Sequence, residues 1–234
     1  MSQISKIEWT EATWNPATGC TKISEGCKHC YAERLAARLK AMGNVRYKKG
    51  FQLNLHEDLL GLPLKWKQPK MIFVNSMSDL FHEEIPLEFI SKVLETMKKA
   101  SWHTFQILTK RSERLKLISQ KIDWPDNVWI GVTVESNKYV NRIKDLQEVK
   151  AHTKFISVEP LLAPLYDLSL KNIDWVIVGG ESGPNSRKIN IEWVRSIRDQ
   201  CVREKVAFFF KQWGGVRKKA SGRLLDGKYW NERP

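Results

Sequence analysis

The sequence predicts a parallel α/β protein wound as a (β/α) barrel, on three observations. Six short runs of nearly continuous hydrophobicity, rich in β-branched and aromatic residues, recur along the chain, as strands buried on both faces do. Amphipathic segments separate most of these runs, and that alternation calls for a parallel sheet covered by helices. Every run also ends in polar or charged residues, which in (β/α) barrels gather on the C-terminal rim around one pocket.

Taken in order, a weaker apolar segment over 13–19 opens the pattern. The first helix lies in CYAERLAARLKAMG, where Ala32, Leu35, Ala36, Leu39 and Met42 follow helical spacing and Gly43 suits the C-cap. Strands are expected over 71–76, 104–110, 127–135, 154–159, 175–181 and 206–213. Their polar ends are Asn75, Ser76 and Asp79, then Thr109 and Lys110, then Thr133 and Glu135, then Glu159, Glu181, and Lys211 with Gln212. Helices are expected over 86–99, opened by Pro86, and over 112–120, 138–150 and 191–204. The link from Glu159 to Trp175 reads as a loop, because Pro160 and Pro164 break any long helix. Gly179–Gly180 allows a ligand to approach the backbone closely. The pair does not extend to GxGxxG, which argues against a dinucleotide-binding fold.

The chain has 234 residues, 42% hydrophobic and 28% charged, an ordinary globular composition. No repeat or linker divides it, so a single domain over 1–234 is expected, with a basic C-terminal extension from about 214. No run approaches the roughly 18 apolar residues of a membrane span, and the opening MSQISKIEWTEATW has no apolar signal core. A cytoplasmic location with reduced cysteines is expected. Lys and Arg number 39 against 26 Asp and Glu, a formal net charge of +13. One basic group spans 203–223 (Arg203, Lys205, Lys211, Arg217, Lys218, Lys219, Arg223), and another comprises Arg34, Arg38, Lys40, Arg46, Lys48 and Lys49. Trp66 follows between Lys65 and Lys67. Basic patches interleaved with aromatics fit phosphate contacts and base stacking, although a solvated basic surface has the same composition. Trp124, Trp129, Trp175 and Trp193 read as packing residues, and Trp9, Trp14 and Trp213 as rim residues.

Three of the four cysteines cluster in Cys20-Thr-Lys-Ile-Ser-Glu-Gly-Cys27-Lys-His-Cys30-Tyr31. Thiolates ligate zinc or iron–sulfur clusters, and a Cys-x2-Cys pair brings two of them to one centre from a single turn. Gly19 and Gly26 let the loop turn tightly. A structural zinc site has four protein ligands, whereas a [4Fe–4S] cluster on three thiolates keeps one iron open. His29 or Cys201 could complete a zinc site, in a zinc-stabilised nucleic-acid-binding barrel without catalysis. Cys201 falls in the late helical segment and reads better as a core thiol.

A Cys-x2-Cys followed by an aromatic residue at the first helix of a (β/α) barrel resembles the radical S-adenosylmethionine (SAM) enzymes. Most of that superfamily has a three-residue first gap, and this chain has six. From IEWTEATWNPATGC through NSMSDLF, LTKR, GVTVE, SVEPLL, VGGESG and FKQWGG, the chain resembles an uncharacterised phage-associated family of unknown function. The second and third strand ends are similar to spore photoproduct lyase, a DNA repair enzyme. The resemblance implies a partial barrel of radical SAM type, with a [4Fe–4S] cluster on Cys20, Cys27 and Cys30. It implies reductive cleavage of SAM to a 5′-deoxyadenosyl radical, an external electron donor, and a nucleic-acid or nucleotide substrate. It places Ser76, Ser78 and Asp79 at the methionine amino group, where they could equally cap a helix, and Lys110 at the carboxylate. Tyr31, Thr133, Glu135, Glu159, Gly179, Gly180 and Glu181 join them as cofactor contacts, and no catalytic residue is singled out.

Overall fold

A computed structural model of the chain describes residue 5 and residues 7–234, apart from the side chains of Lys218 and Lys219. Its main sheet has seven strands: β1 (Ala12–Trp14), β2 (Met71–Val74), β3 (Thr104–Thr109), β4 (Val128–Thr133), β5 (Thr153–Val158), β6 (Trp175–Gly179) and β7 (Ala207–Gln212). All neighbours pair in parallel, and the order across the sheet is the order along the chain. A doubly wound sheet reverses its order at a switch point; this one does not, and it curls in one direction into a half-barrel. Strands β1 and β7 are its two unjoined edges.

Five main helices flank the sheet: α1 (Tyr31–Ala41), α2 (Leu87–Lys99), α3 (Ser112–Ser119), α4 (Asn141–Gln147) and α5 (Ile191–Glu204). Period two along each strand divides the core in two. One parity (Ile72, Ile107, Ile130, Ile156, Val176, Phe208) packs outward with Val93 of α2, Leu115 of α3, Leu146 of α4 and Ile197 of α5. The other parity (Phe73, Phe155, Trp175, Phe209) fills the concave side, joined by Trp9 from the segment before β1. Trp9 meets Phe73 edge-on at 4.7 Å and Trp175 at 6.2 Å. Gly131 makes room for this cluster, because a Cβ there would lie 2.6 Å from the Phe155 ring.

Several expectations need correction. In α1 only Ala32 and Ala36 are buried, whereas Leu35 and Met42 are exposed. The helix ends at C-cap Met42, and Gly43 follows at φ 73°, the left-handed position that releases the last turn. Helix α4 is shorter than 138–150, because its last turn tightens onto Leu146 as the chain bends toward β5. An antiparallel ribbon of Ala17–Thr18 with Asn54–Leu55 was not expected, since two-residue strands leave no periodic signal. Trp14 is fully buried against the helices, with its indole N–H on the Leu59 carbonyl at 2.8 Å, and does not reach the rim. Trp213 packs on Phe210 at 4.6 Å and donates to the Leu224 carbonyl. The 159–174 link has no helix, as expected. After a short helix, α6 (Lys218–Ser221), the chain returns along the free edge of β7. There Phe210 N–H donates to the Trp230 carbonyl and Glu232 N–H to the Phe208 carbonyl, so that edge is covered. Among the described residues, no helix is long and apolar enough to cross a membrane.

Candidate active site

The cysteine loop connects β1 to α1 and is held to the strand ends from two sides. At its start Gly19 has φ 85°, and a Cβ there would sit 2.1 Å from the Gln52 carbonyl oxygen, so only glycine fits. Its N–H donates to the Met77 carbonyl, and its own carbonyl accepts from Ser78 Oγ at 2.6 Å. Farther along, a one-turn 3-10 helix over Glu25–Cys27 lies on Glu135, which leaves no space for a side chain on Gly26. Ser24 Oγ donates to Glu135 Oε1 at 2.5 Å, and Arg142 donates to Oε2 at 2.8 Å. Lys110 Nζ is 3.6 Å from the same carboxylate, which is fully buried. Cys30 then occupies the N-cap of α1.

The second anchor is Arg111, whose role the sequence reading missed. It sits just after β3, with its guanidinium bound to Asp79 at 3.1 Å, to Glu83 at 2.8 Å and to Thr21 Oγ1 at 2.9 Å. Its Nη1 also lies 3.6 Å from Cys20 Sγ. Asp79 is saturated, because Thr109 Oγ1 and the N–H groups of Phe81 and Lys110 donate to it as well. Burial, and then the Asp79 charge, push the Cys20 thiol up to about 11, with Arg111 opposing. Burial also works against the Cys27 thiolate. Backbone hydrogen bonds and the Lys110 charge oppose it, and that thiol lies below its ordinary value.

Above the aromatic cluster the half-barrel opens into a pocket of 530 Å³. Ile7, Trp9, Phe73 and Leu108 form its apolar floor, so Trp9 reaches the pocket from below. Cys27, Cys30 and Tyr31 line one side, and of the expected cofactor residues Lys110, Thr133, Glu159, Gly180 and Glu181 also line it. Cys20, Ser76, Ser78, Asp79, Glu135 and Gly179 stand outside the lining. Apart from Cys20, each has a visible structural use. Ser76 accepts the Tyr31 hydroxyl on its carbonyl at 2.5 Å, and Gly179 leaves space that a Cβ would close to 2.6 Å from Glu159.

The pocket carboxylates already have partners. Glu159 accepts from Lys211 at 2.9 Å, Trp9 Nε1 at 3.3 Å and Ser157 Oγ at 3.4 Å. Glu181 is gripped by Arg187 through both side chain and backbone N–H. Burial opposes its ionisation, yet Arg187 holds its carboxyl below the usual carboxylate range. Two polar atoms of lining residues lack a partner: Thr133 Oγ1 and Gln212 Oε1 are buried without a hydrogen bond. Arg34 and His29 line it too. Nothing in residue type or spacing set Arg34 apart, whereas Gln212 was visible as a polar strand end.

Cys201 is fully buried in α5, where burial pushes its thiol up to about 12, so it is a core thiol. Among the described residues, no three His, Cys, Asp or Glu side chains converge closely enough to hold a single metal ion. The basic group over 203–223 does not form one patch. Lys211 faces Glu159, Arg203 pairs with Glu204, and Arg223 stacks over Phe209 at 4.9 Å. The side chains of Lys218 and Lys219 lie outside the described residues. In the earlier group, Arg46 is neutralised by Asp58, and Trp66 is buried.

The chain belongs to the family described as "Protein of unknown function (DUF5131)", whose profile matches residues 4–234. Comparison with curated proteins finds no sequence match. Two solved structures of spore photoproduct lyase are similar in fold. One, a double mutant with bound AdoMet and dinucleoside spore photoproduct, has TM-score 0.53 at 12% identity. The other, a single mutant, has TM-score 0.54 at 13% identity. Each match covers 86% of this chain and 63% of the other, so this chain spans less than two thirds of their length. At this identity the likeness is one of fold: the half-barrel matches the radical SAM partial barrel of that enzyme.

Proposed function

We propose that this chain is a radical SAM enzyme in which Cys20, Cys27 and Cys30 hold a [4Fe–4S] cluster. In this reading the adjoining pocket takes S-adenosylmethionine and a nucleotide or nucleic-acid substrate. The observation that carries it is the position of the loop: three free thiols borne beside the open end of a half-barrel pocket, two of them lining it. The donor set fits. Three thiols from one loop suit a polynuclear cluster with one open iron, and the absence of a convergent set among the described residues disfavours a lone zinc ion. A half-barrel like that of the AdoMet-bound lyase supports the same reading.

When bound, the cluster supplies the electron that cleaves SAM to a 5′-deoxyadenosyl radical, and an external donor must deliver that electron. The chain's own residues hold, orient and exclude water. Glu135 and Arg111 fix the loop from beneath, so the thiols approach the pocket on a rigid support. Ser76, Ser78 and Asp79 act one layer back, on Tyr31, Gly19 and Arg111 respectively. Lys110 and Tyr31 face the pocket beside the thiols and suit the carboxylate and the adenosine face of SAM. Thr133 Oγ1, buried and unpartnered, suits a ribose hydroxyl. The apolar floor shields the reaction from water on the barrel side.

The test is anaerobic reconstitution with iron and sulfide, then dithionite and SAM, with 5′-deoxyadenosine quantified by mass spectrometry. A brown protein that forms 5′-deoxyadenosine is the expected result. A colourless protein that takes up zinc, builds no cluster and yields no 5′-deoxyadenosine would overturn the reading.

A further inference from the structure

The wall of the pocket at the ends of β6 and β7 is built from backbone. Gly180 and Gly214 lie where a Cβ would approach the Trp213 and Glu181 carbonyl oxygens to 2.2 and 2.3 Å. Gly183 N–H donates to the Gly215 carbonyl and Gly215 N–H to the Glu181 carbonyl, so the 180–183 and 213–215 segments are tied together. A register shift between Val178 and Gly179 pairs Gly179 with Gln212. Such irregularities re-aim a side chain at the end of a strand.

Two side chains on this wall are incompletely used. Gln212 is 3% exposed, and its amide nitrogen donates to the Gly180 carbonyl and to Ser182 Oγ, both at 3.0 Å. Both amide hydrogens are thereby spent and the orientation set, which leaves Oε1 a buried acceptor with no donor. Arg34 reaches over from α1 and donates to the Ser182 carbonyl at 3.1 Å. Its guanidinium lies where a side chain on Gly183 would be, since a Cβ there would come within 2.4 Å of Nη2. Lys110 and Lys211, the other permanent cations of the lining, each have a carboxylate neighbour, Glu135 at 3.6 Å and Glu159 at 2.9 Å. Among the described lining residues, Arg34 is the permanent cation without a carboxylate partner.

We infer that Arg34 and Gln212 form a nucleotide subsite on the wall of the pocket made by the ends of β6 and β7. Arg34 takes the phosphate, and Gln212 Oε1 accepts an N–H or O–H of the base or sugar. An arginine fork with most of its donors free matches phosphate oxygens. The buried acceptor requires a donor that the protein does not supply. The wall's glycines hold the two groups in place while keeping the surface open. This subsite rests on the nucleotide half of the proposed function and is independent of radical chemistry.

The experiment is isothermal titration of the reconstituted protein, without reductant, using the four deoxynucleoside 5′-monophosphates and the matching nucleosides. At least one nucleotide should bind about tenfold tighter than its nucleoside, the scale of a charge-assisted contact. In Arg34→Gln that ratio should collapse toward one while nucleoside binding stays as it was. Gln212→Leu should weaken nucleotide and nucleoside by the same factor. Arg38→Gln, an exposed change on the same helix outside the pocket, should alter neither. The subsite is refuted if no nucleotide outbinds its nucleoside. It is also refuted if Arg34→Gln and Arg38→Gln reduce affinity equally, which marks diffuse attraction to a basic surface. Arg34→Gln weakening SAM instead of the nucleotides would assign the guanidinium to the cofactor carboxylate and also end the proposal. 5′-Deoxyadenosine formed by a protein with no Arg34-dependent phosphate preference would leave the radical reading standing without this subsite, and the converse result would do the reverse.

Discussion

The two ends of the concave face are made by the same strands and have opposite chemistry. Along β5 the inward residues run Phe155, Ser157, Glu159; along β6 they run Trp175, Ile177, Gly179, Glu181; along β7 they run Phe209, Lys211. Within two to six residues each strand passes from an aromatic ring that touches other rings to a charge that touches an opposite charge. The lower end is stabilised by non-directional burial, where edge-to-face contacts refine the packing. At the upper end, by contrast, each carboxylate needs specific partners, and Glu135, Glu159 and Glu181 all have theirs. Stability and site geometry are thus assigned to different ends of one sheet.

The largest expected effect on the upper end is on metal loading. Cys20→Ala, Cys27→Ala and Cys30→Ala should each abolish iron uptake on reconstitution while leaving the thermal midpoint almost unchanged. A variant that loads iron fully would remove that residue from the ligand set. The lower end should respond in the opposite way. Trp175→Ala, at a fully buried residue, should cost about 3–5 kcal/mol, read from denaturant unfolding. If it lowers iron loading without lowering stability, the division between the two ends is wrong.

Glu135→Gln sharpens the comparison, because this residue belongs to the upper end yet is fully buried. It leaves Arg142 and Lys110 short of a charge, so a loss of about 3 kcal/mol is expected. Ser24 loses its charged acceptor, and iron loading should fall as well. Unchanged loading would mean that the loop stands without its support.

The smallest effect lies outside both ends. Arg195, and then Arg198, hold the exposed Asp226 carboxyl down to about 2, below its usual carboxylate range. A folded value below the unfolded one, near 3.9, makes this contribution complete above about pH 4 and lost as pH falls toward 2. Asp226→Asn should therefore flatten the acid dependence of the midpoint in that window only. Near neutral pH the midpoint should be lower by a constant amount, and a change of slope there would point to a different group.

Strand positions were legible because both parities are apolar over most of each run, and 104–110, 154–159 and 206–213 fall within a residue or two of β3, β5 and β7. Chemistry was legible where local sequence holds it, as with the three cysteines and the polar strand ends. Arg111 was not, since its partners Thr21, Asp79 and Glu83 come from two other segments. Gly183 and Arg34 were hidden for the same reason, being far apart in the chain and in contact in space.

The sequence by itself determined a parallel α/β chain with polar strand ends and a three-thiol loop before the first helix. These are properties of residue type and spacing, which act over a few positions. The partial barrel was expected from the family resemblance, and only the tertiary structure decided which charges neutralise one another. It also decided that Thr133 Oγ1 and Gln212 Oε1 are buried without a partner and that Arg34 lacks a carboxylate among the lining residues. Hydrogen bonds and ion pairs form at about 3 Å whatever the separation along the chain. Folding alone brings Ser24 to Glu135, or Arg34 to Gly183, and so selects which polar groups remain free for a ligand.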